Sequence, residues 1–276
     1  MRYPKYMQNV LIGSAAALIA GTAVIPSHQQ SGPVLKAATA FVTGTPAKAD
    51  SANVADATSP TAEVASATKS ALDALGSAVT NLSGPQALED AFHSYYAYKT
   101  EHPEDVKKPY LYFVDYGLPS TEARGYVFDM SSLKIVDGPF TVAHGRGSST
   151  SQYGVPTRFS NASGSNSTSL GLYVTKALYA FHGHTGGRPY SSVGLQLDGV
   201  STGFNDNALA RRVVAHGAPY VTPTKAGRSE GCPAMEPARA AELLPKLAEG
   251  GMVFLFAPNQ QWMAGDPWLV ASADAI

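Results

Sequence analysis

The chain has 276 residues, room for one large or two small domains, and 44% of them are hydrophobic, as in a globular rather than a disordered protein. Lys and Arg number 20 against 21 Asp and Glu, so no overall charge steers the chain toward nucleic acid or an anionic membrane surface. Only 15% of residues are charged, while Gly contributes 26 and Pro 19, which favours short strands and many turns over long helices.

At the N-terminus, Arg2 and Lys5 precede an apolar, Ala-rich run from Val10 to Ile25, the layout of an export signal. The run falls short of the roughly 20 residues of a spanning helix, and Gly21-Thr22-Ala23 offers small residues to a signal peptidase. Residues 1–25 are therefore read as a signal peptide or, if uncleaved, an N-terminal anchor, the one expected membrane contact.

Residues 26–83 have the Ala/Thr/Ser/Pro composition of a flexible linker, with a weak helical stripe at Leu72, Leu75, Val79 and Leu82. Over residues 84–104 a better helix starts at Gly84-Pro85, places Leu88, Phe92, Tyr95 and Tyr96 on one face, and stops at His102-Pro103. That face is expected to pack on residues 105–260. There the pattern changes to short β-rich runs at 110–114, 125–128, 140–143, 172–175, 194–197 and 212–215. Asp137-Gly138-Pro139 and residues 161–169 read as turns, and residues 181–189 as a glycine-rich loop. A helix from Pro237 to about Glu249, interrupted by Pro245, leads into a strand over 252–256. Residues 261–276 form a tail with no readable period. The predicted fold is mainly β, with mixed or antiparallel sheets and short helices, preceded by an N-terminal helix and a flexible linker.

An exported chain ordinarily pairs its cysteines, yet this one has only Cys232. A lone cysteine without a motif is read as a small buried hydrophobe. Here the surroundings are informative. Arg211-Arg212-Val213-Val214-Ala215-His216-Gly217-Ala218 ends a strand at His-Gly, and Gly227-Arg228-Ser229-Glu230-Gly231-Cys232-Pro233-Ala234 ends a turn just before a helix. The step of 16 positions from His216 to Cys232 lets the chain loop out and return. A thiol beside an imidazole becomes a thiolate that attacks carbonyl carbon, and the imidazolium protonates the leaving amine. The amides of Gly231 and Cys232 are candidate oxyanion donors, whereas Pro233 has no N–H. Arg228 reads either as a carboxylate clamp or as a solvated residue, and Ser229 as a turn cap or a partner of the catalytic groups. Ser229, Asp206 or a backbone carbonyl are the candidates for orienting His216.

These two segments resemble the murein L,D-transpeptidase catalytic domain family (YkuD-like), whose Gly-Arg-Ser-x-Gly-Cys-Pro-Ala run is matched by residues 227–234. Residues 169–175, Leu195-Gln196-Leu197-Asp198-Gly199 and Gly203-Phe204-Asn205-Asp206 are similar to the same family. The resemblance covers residues 110–256 and departs from the wider family at Glu230, where a histidine is usual. It implies a YkuD-like fold with Cys232 as nucleophile, His216 as base and Gly231 at the oxyanion site. It further implies attack between stem residue 3 and D-alanine 4 of peptidoglycan, with acyl transfer to an amine on a second stem and a 3→3 cross-link. The partners it implies are donor and acceptor stem peptides, with a periplasmic or cell-wall location. Water as acceptor would make the enzyme an L,D-carboxypeptidase, and a protein lysine would tether that protein to the wall. Gly217, Arg228, Ser229, His184 and Tyr173 complete the candidate binding or orienting residues.

No metal, nucleotide or organic cofactor is implied. Two other classes remain open at this point. A zinc-dependent peptidase would draw on His182, His184, His144 and His216, although no His-Glu-x-x-His is present. A non-catalytic wall-binding pseudoenzyme would keep Cys232 as a core residue. The oligomeric state is not legible in the sequence.

Overall fold

A computed structural model describes residues 59–269 of the chain. The signal segment, the linker up to residue 58 and the last seven residues of the tail lie outside the described residues.

Helix α1 (Pro60–Leu75) starts with proline in its first turn, and the Ser59 hydroxyl accepts from the Ala62 amide at 3.3 Å. Its buried face is Val64, Thr68, Ala71 and Leu75, and it packs on α2 (Ala87–Glu101). The stripe read as a weak helix within a linker is thus a helix built into the domain, and Val79, beyond a 3-10 turn at Gly76–Ala78, joins the core. Small residues carry much of that face, so its apolar period is faint in the sequence. Helix α2 begins with Glu89 in its first turn, favourable at a helix N-terminus, and buries Leu88, Phe92, Tyr95 and Tyr98.

The remaining elements, in chain order, are β1 (Tyr110–Asp115), β2 (Gly125–Asp129), β3 (Lys134–Phe140), β4 (His144–Gly145), β5 (Gly171–Thr185), β6 (Arg188–Gly199), β7 (Val214–Gly217), β8 (Val221–Thr222), β9 (Lys225–Ala226), β10 (Arg228–Ser229), β11 (Ala234–Met235), α3 (Pro237–Leu247), β12 (Met252–Phe256) and α4 (Gln260–Met263). Eight strands form one mixed sheet in the order β11-β7-β6-β5-β12-β1-β2-β3, while β4 pairs with β10 and β8 with β9. Pairing is parallel at β1–β12 and β11–β7, and antiparallel elsewhere in the large sheet.

Every residue of β12 is buried, as its unbroken Met-Val-Phe-Leu-Phe run demands of a strand covered on both faces. Successive residues of neighbouring β1 point to opposite faces. On one face Phe113 and Phe92 of α2 meet the Phe128 ring, the latter edge-on at 5.3 Å. On the other, Tyr112 stacks on Phe140, over which lies Arg239 of α3. Phe254 is fully buried and its ring lies 5.9 Å from that of Trp262. Phe254→Ala is expected to lower the free energy of unfolding by about 3–5 kcal/mol, measured by chemical denaturation, because the cavity it leaves in a central strand cannot collapse.

Three local readings are corrected. The strand expected over 140–143 lies upstream as β3, and Asp137-Gly138-Pro139 falls inside it as an irregularity, with Gly138 at φ 133 and a Cβ there meeting the Tyr126 ring at 2.6 Å. Residues 181–189 are not a loop but the end of the long β5–β6 hairpin, which turns at Gly186-Gly187, both at positive φ. The strand expected from Arg212 starts only at Val214, because Arg212 itself is left-handed, φ 57. Beyond β12 the described part of the tail is anchored: Trp262 Nε1 donates to Asp266 at 2.6 Å and Trp268 Nε1 to the Val200 carbonyl at 2.7 Å. Among the described residues no helix is long and apolar enough to cross a membrane.

Candidate active site

Strand β7 runs Val-Ala-His-Gly and is buried throughout, so His216 is 2% exposed. Its Nδ1 lies 3.1 Å from the Gly217 carbonyl. A carbonyl only accepts, so the neutral ring carries its proton on Nδ1 and leaves Nε2 as the basic nitrogen. Of the candidates to orient this ring, the backbone carbonyl is the one in place. Ser229 and Asp206 are engaged elsewhere, with the Cys232 carbonyl and with Asn161 respectively. The Phe181 ring stacks on the imidazole at 4.2 Å and 22°. Burial lowers the imidazole pKa to about 4, against a smaller opposite effect of the Gly217 carbonyl.

Cys232 is delivered from the neighbouring strand. Ala234 of β11 is in parallel register with His216, and the His216 amide donates to the Pro233 carbonyl at 3.2 Å. The nucleophile candidate therefore sits two residues before the position paired with the base. Its thiol is half-buried. Burial pushes the thiol pKa up; a hydrogen bond from the Val214 main chain and the Arg211 charge pull it down, and Glu230 adds a smaller upward push. Burial thus pushes both groups toward their neutral forms.

The turn that presents Cys232 is organised by Ser229, whose hydroxyl donates to the Cys232 carbonyl at 2.6 Å and accepts from the Gly231 amide at 3.1 Å. Ser229 is thus the turn cap. The Gly231 amide, expected at the oxyanion site, is committed to that hydroxyl, whereas the Cys232 amide has no acceptor among the described residues. Gly231 has φ 127, and a Cβ there would lie 2.9 Å from the Ser167 carbonyl, so glycine is required by backbone and space alike. Strand β10 runs parallel to β4 and sets Arg228 opposite His144. Arg228 donates to the Ser149 carbonyl at 3.1 Å, a tie within the chain. Glu230 is exposed and receives Arg146 Nε at 2.8 and 2.9 Å on its two oxygens.

The other candidates divide. Gly217 orients the base through its carbonyl, and a Cβ on it would meet Ser192 Oγ at 2.2 Å. Tyr173 is fully buried, its hydroxyl at 2.8 Å from both the Ser169 carbonyl and hydroxyl, so it is a supporting residue rather than a lining one. His184 is exposed on the β5–β6 hairpin, and His182 bonds Ser191. His144 is buried with Nδ1 3.0 Å from Arg124 Nη2. Among the described residues these histidines do not converge on a metal-sized site; the one group close enough to hold an ion is His102, Glu104 and Asp105, after α2. The zinc arrangement therefore has no support from the geometry.

Sequence reasoning missed Phe181, Tyr190 and Tyr220, whose rings follow one another from His216 at 6.1 and 6.4 Å. The alternation of Tyr179 and Phe181 is a strand signal, hidden by the glycines that follow.

Residues 80–256 match a family profile described as L,D-transpeptidase catalytic domain. No curated protein matches the chain. Among solved structures, the chain is similar to an L,D-transpeptidase from Mycobacterium smegmatis, with 13% identity, TM-score 0.31, 54% of this chain and 59% of that one covered. An L,D-transpeptidase from Stackebrandtia nassauensis gives 15% identity, TM-score 0.32 and coverage of 71% and 78%. L,D-transpeptidase 3 from Mycobacterium tuberculosis gives 10% identity, TM-score 0.32 and coverage of 54% and 61%. The chain thus spans about three fifths of the length of the two mycobacterial proteins.

Proposed function

Since the chain belongs to the L,D-transpeptidase catalytic-domain family, we propose that it is an exported enzyme that cleaves peptidoglycan stem peptides between residue 3 and D-alanine 4 through an acyl-Cys232 intermediate. The observation that supports this reading is the β7–β11 register, in which Ala234, two residues after Cys232, pairs with His216, whose Nδ1 faces the Gly217 carbonyl.

In this reading Sγ attacks the carbonyl as its proton passes to His216 Nε2, and the Cys232 amide steadies the oxyanion. Collapse breaks the C–N bond, the imidazolium proton goes to the departing D-alanine amine, and a thioester remains. An amine of a second stem then attacks, returning its proton through His216 to the thiolate and forming the 3→3 amide. Glu230 does not take over the role of the histidine usual at its position, being tied to Arg146 on the solvent side. The export signal read in residues 1–25 supports action outside the cytoplasm, in the periplasm or at the wall; recovery of the intact N-terminus from a cytoplasmic fraction would overturn it.

The test is mass spectrometry of the protein incubated with a tetrapeptide muropeptide. The expected products are free D-alanine and a cross-linked dimer. Tripeptide without dimer would replace transfer by L,D-carboxypeptidase action, and an untouched substrate would leave wall binding without chemistry.

A further inference from the structure

A cleft of about 350 Å³ opens beside Cys232, its lining including Asn166, Arg211, Arg212 and Glu230. Two of these residues face it from strained backbone: Asn166 at φ 53 and Arg212 at φ 57. Non-glycine residues persist in that region only where their surroundings over-determine them, and such positions gather at ligand sites.

The charges around the cleft are unequal in availability. Arg211 is consumed by the protein, Nη1 donating to the Ser160 carbonyl at 2.8 Å and Nη2 to the Ser167 carbonyl at 2.7 Å. Glu230 is neutralised by Arg146. Arg212 is exposed, and its guanidinium has neither an acid nor a hydrogen-bond partner among the described residues. A free planar fork of donors is thus held next to the nucleophile, in a cleft left positive, and its natural complement is a carboxylate taken bidentately.

We propose that Arg212 is a specificity-determining residue that receives a carboxylate of the donor peptide close to the scissile carbonyl. The stem-peptide identity rests on the transpeptidase reading; the anion preference of the cleft does not. A stem tetrapeptide can offer two such groups, the C-terminal carboxylate of D-alanine 4 and an acidic side chain at residue 3.

Two readouts on the full chain separate the possibilities, using wild type, Arg212→Asn, which tolerates the left-handed backbone, and Arg212→Lys, which keeps the charge. The first is the rate of Cys232 alkylation by iodoacetate relative to iodoacetamide. Arg212→Asn should cut this ratio about fivefold, in line with loss of one nearby, partly solvated charge, the iodoacetamide rate serving to normalise any change in the thiol itself; Arg212→Lys should largely restore it. The second is release of the terminal residue from a tetrapeptide, its C-terminal amide and its residue-3 side-chain amide. The wild type should lose about tenfold in kcat/KM on one amide only, Arg212→Asn losing nothing more on it, and that amide identifies the carboxylate bound. An unchanged alkylation ratio in Arg212→Asn, or equal turnover of all three peptides by wild type, overturns the proposal. A ratio that falls while no peptide is cleaved supports the anion site and overturns the transpeptidase reading instead.

Discussion

Cys232→Ala is expected to reduce D-alanine release from a stem tetrapeptide by about 10⁴-fold or more and to abolish any covalent acyl-protein mass. In the proposed mechanism no other group can form the thioester, because Cys232 is the sole cysteine of the chain. The fold should survive. The turn around the nucleophile is held by Ser229 bonds to the Gly231 amide and the Cys232 carbonyl, and the following strand by the Pro233 carbonyl, none of which uses the thiol. A thermal melt within a few degrees of wild type confirms the comparison. Residual release above about 1% in a folded Cys232→Ala protein would transfer the chemistry to another group.

His216→Ala should cost about 10²- to 10⁴-fold in kcat/KM by removing the general base. Its pH signature separates this role from a structural one. The imidazole, lowered by burial to about 4, is neutral and basic over the whole range above that value. Activity should therefore persist below pH 6 and fall only as the solution approaches pH 4 and the base becomes protonated; His216→Ala should lack that acid limb. The thiol, raised by burial, stays protonated at neutrality. Iodoacetamide alkylation of wild type should consequently climb about tenfold per pH unit from 7 to 9. A rate that is flat from pH 5 to 8 would mean a thiolate–imidazolium pair at rest and would contradict the neutral ground state.

The central strands were legible because their residues leave little choice. Met-Val-Phe-Leu-Phe between Gly250-Gly251 and Pro258 reads as a doubly covered strand, and that is β12. The His216 and Cys232 segments stood out because each sets its reactive side chain next to a glycine, Gly217 after the base and Gly231 before the thiol. Failures concentrated where small or conformationally special residues carry the structure. Thr68 and Ala71 bury the face of α1 without an apolar signature, and Gly186-Gly187 mark the tip of a hairpin rather than an open loop. The Gly231 amide was lost as an oxyanion donor to a hydroxyl two residues back, a competition that no one-dimensional spacing records. Arg212 was hidden within an apolar run, its significance lying in a backbone dihedral and in what its neighbours already bind.

The order of strands across the sheet also constrains when the protein can become itself. β12 occupies the gap between β5 and β1, yet among the described residues it follows every other strand in sequence. Until residue 256 has been made, β1-β2-β3 on one side and β11-β7-β6-β5 on the other have no shared ladder. Joining them requires a partner 141 residues from β1, a non-local closure of the kind that slows folding. The strands that carry the candidate nucleophile and base, β11 and β7, pair beside β6 without β12, so the half of the sheet that holds the site can form before the strand that fuses it to β1-β2-β3.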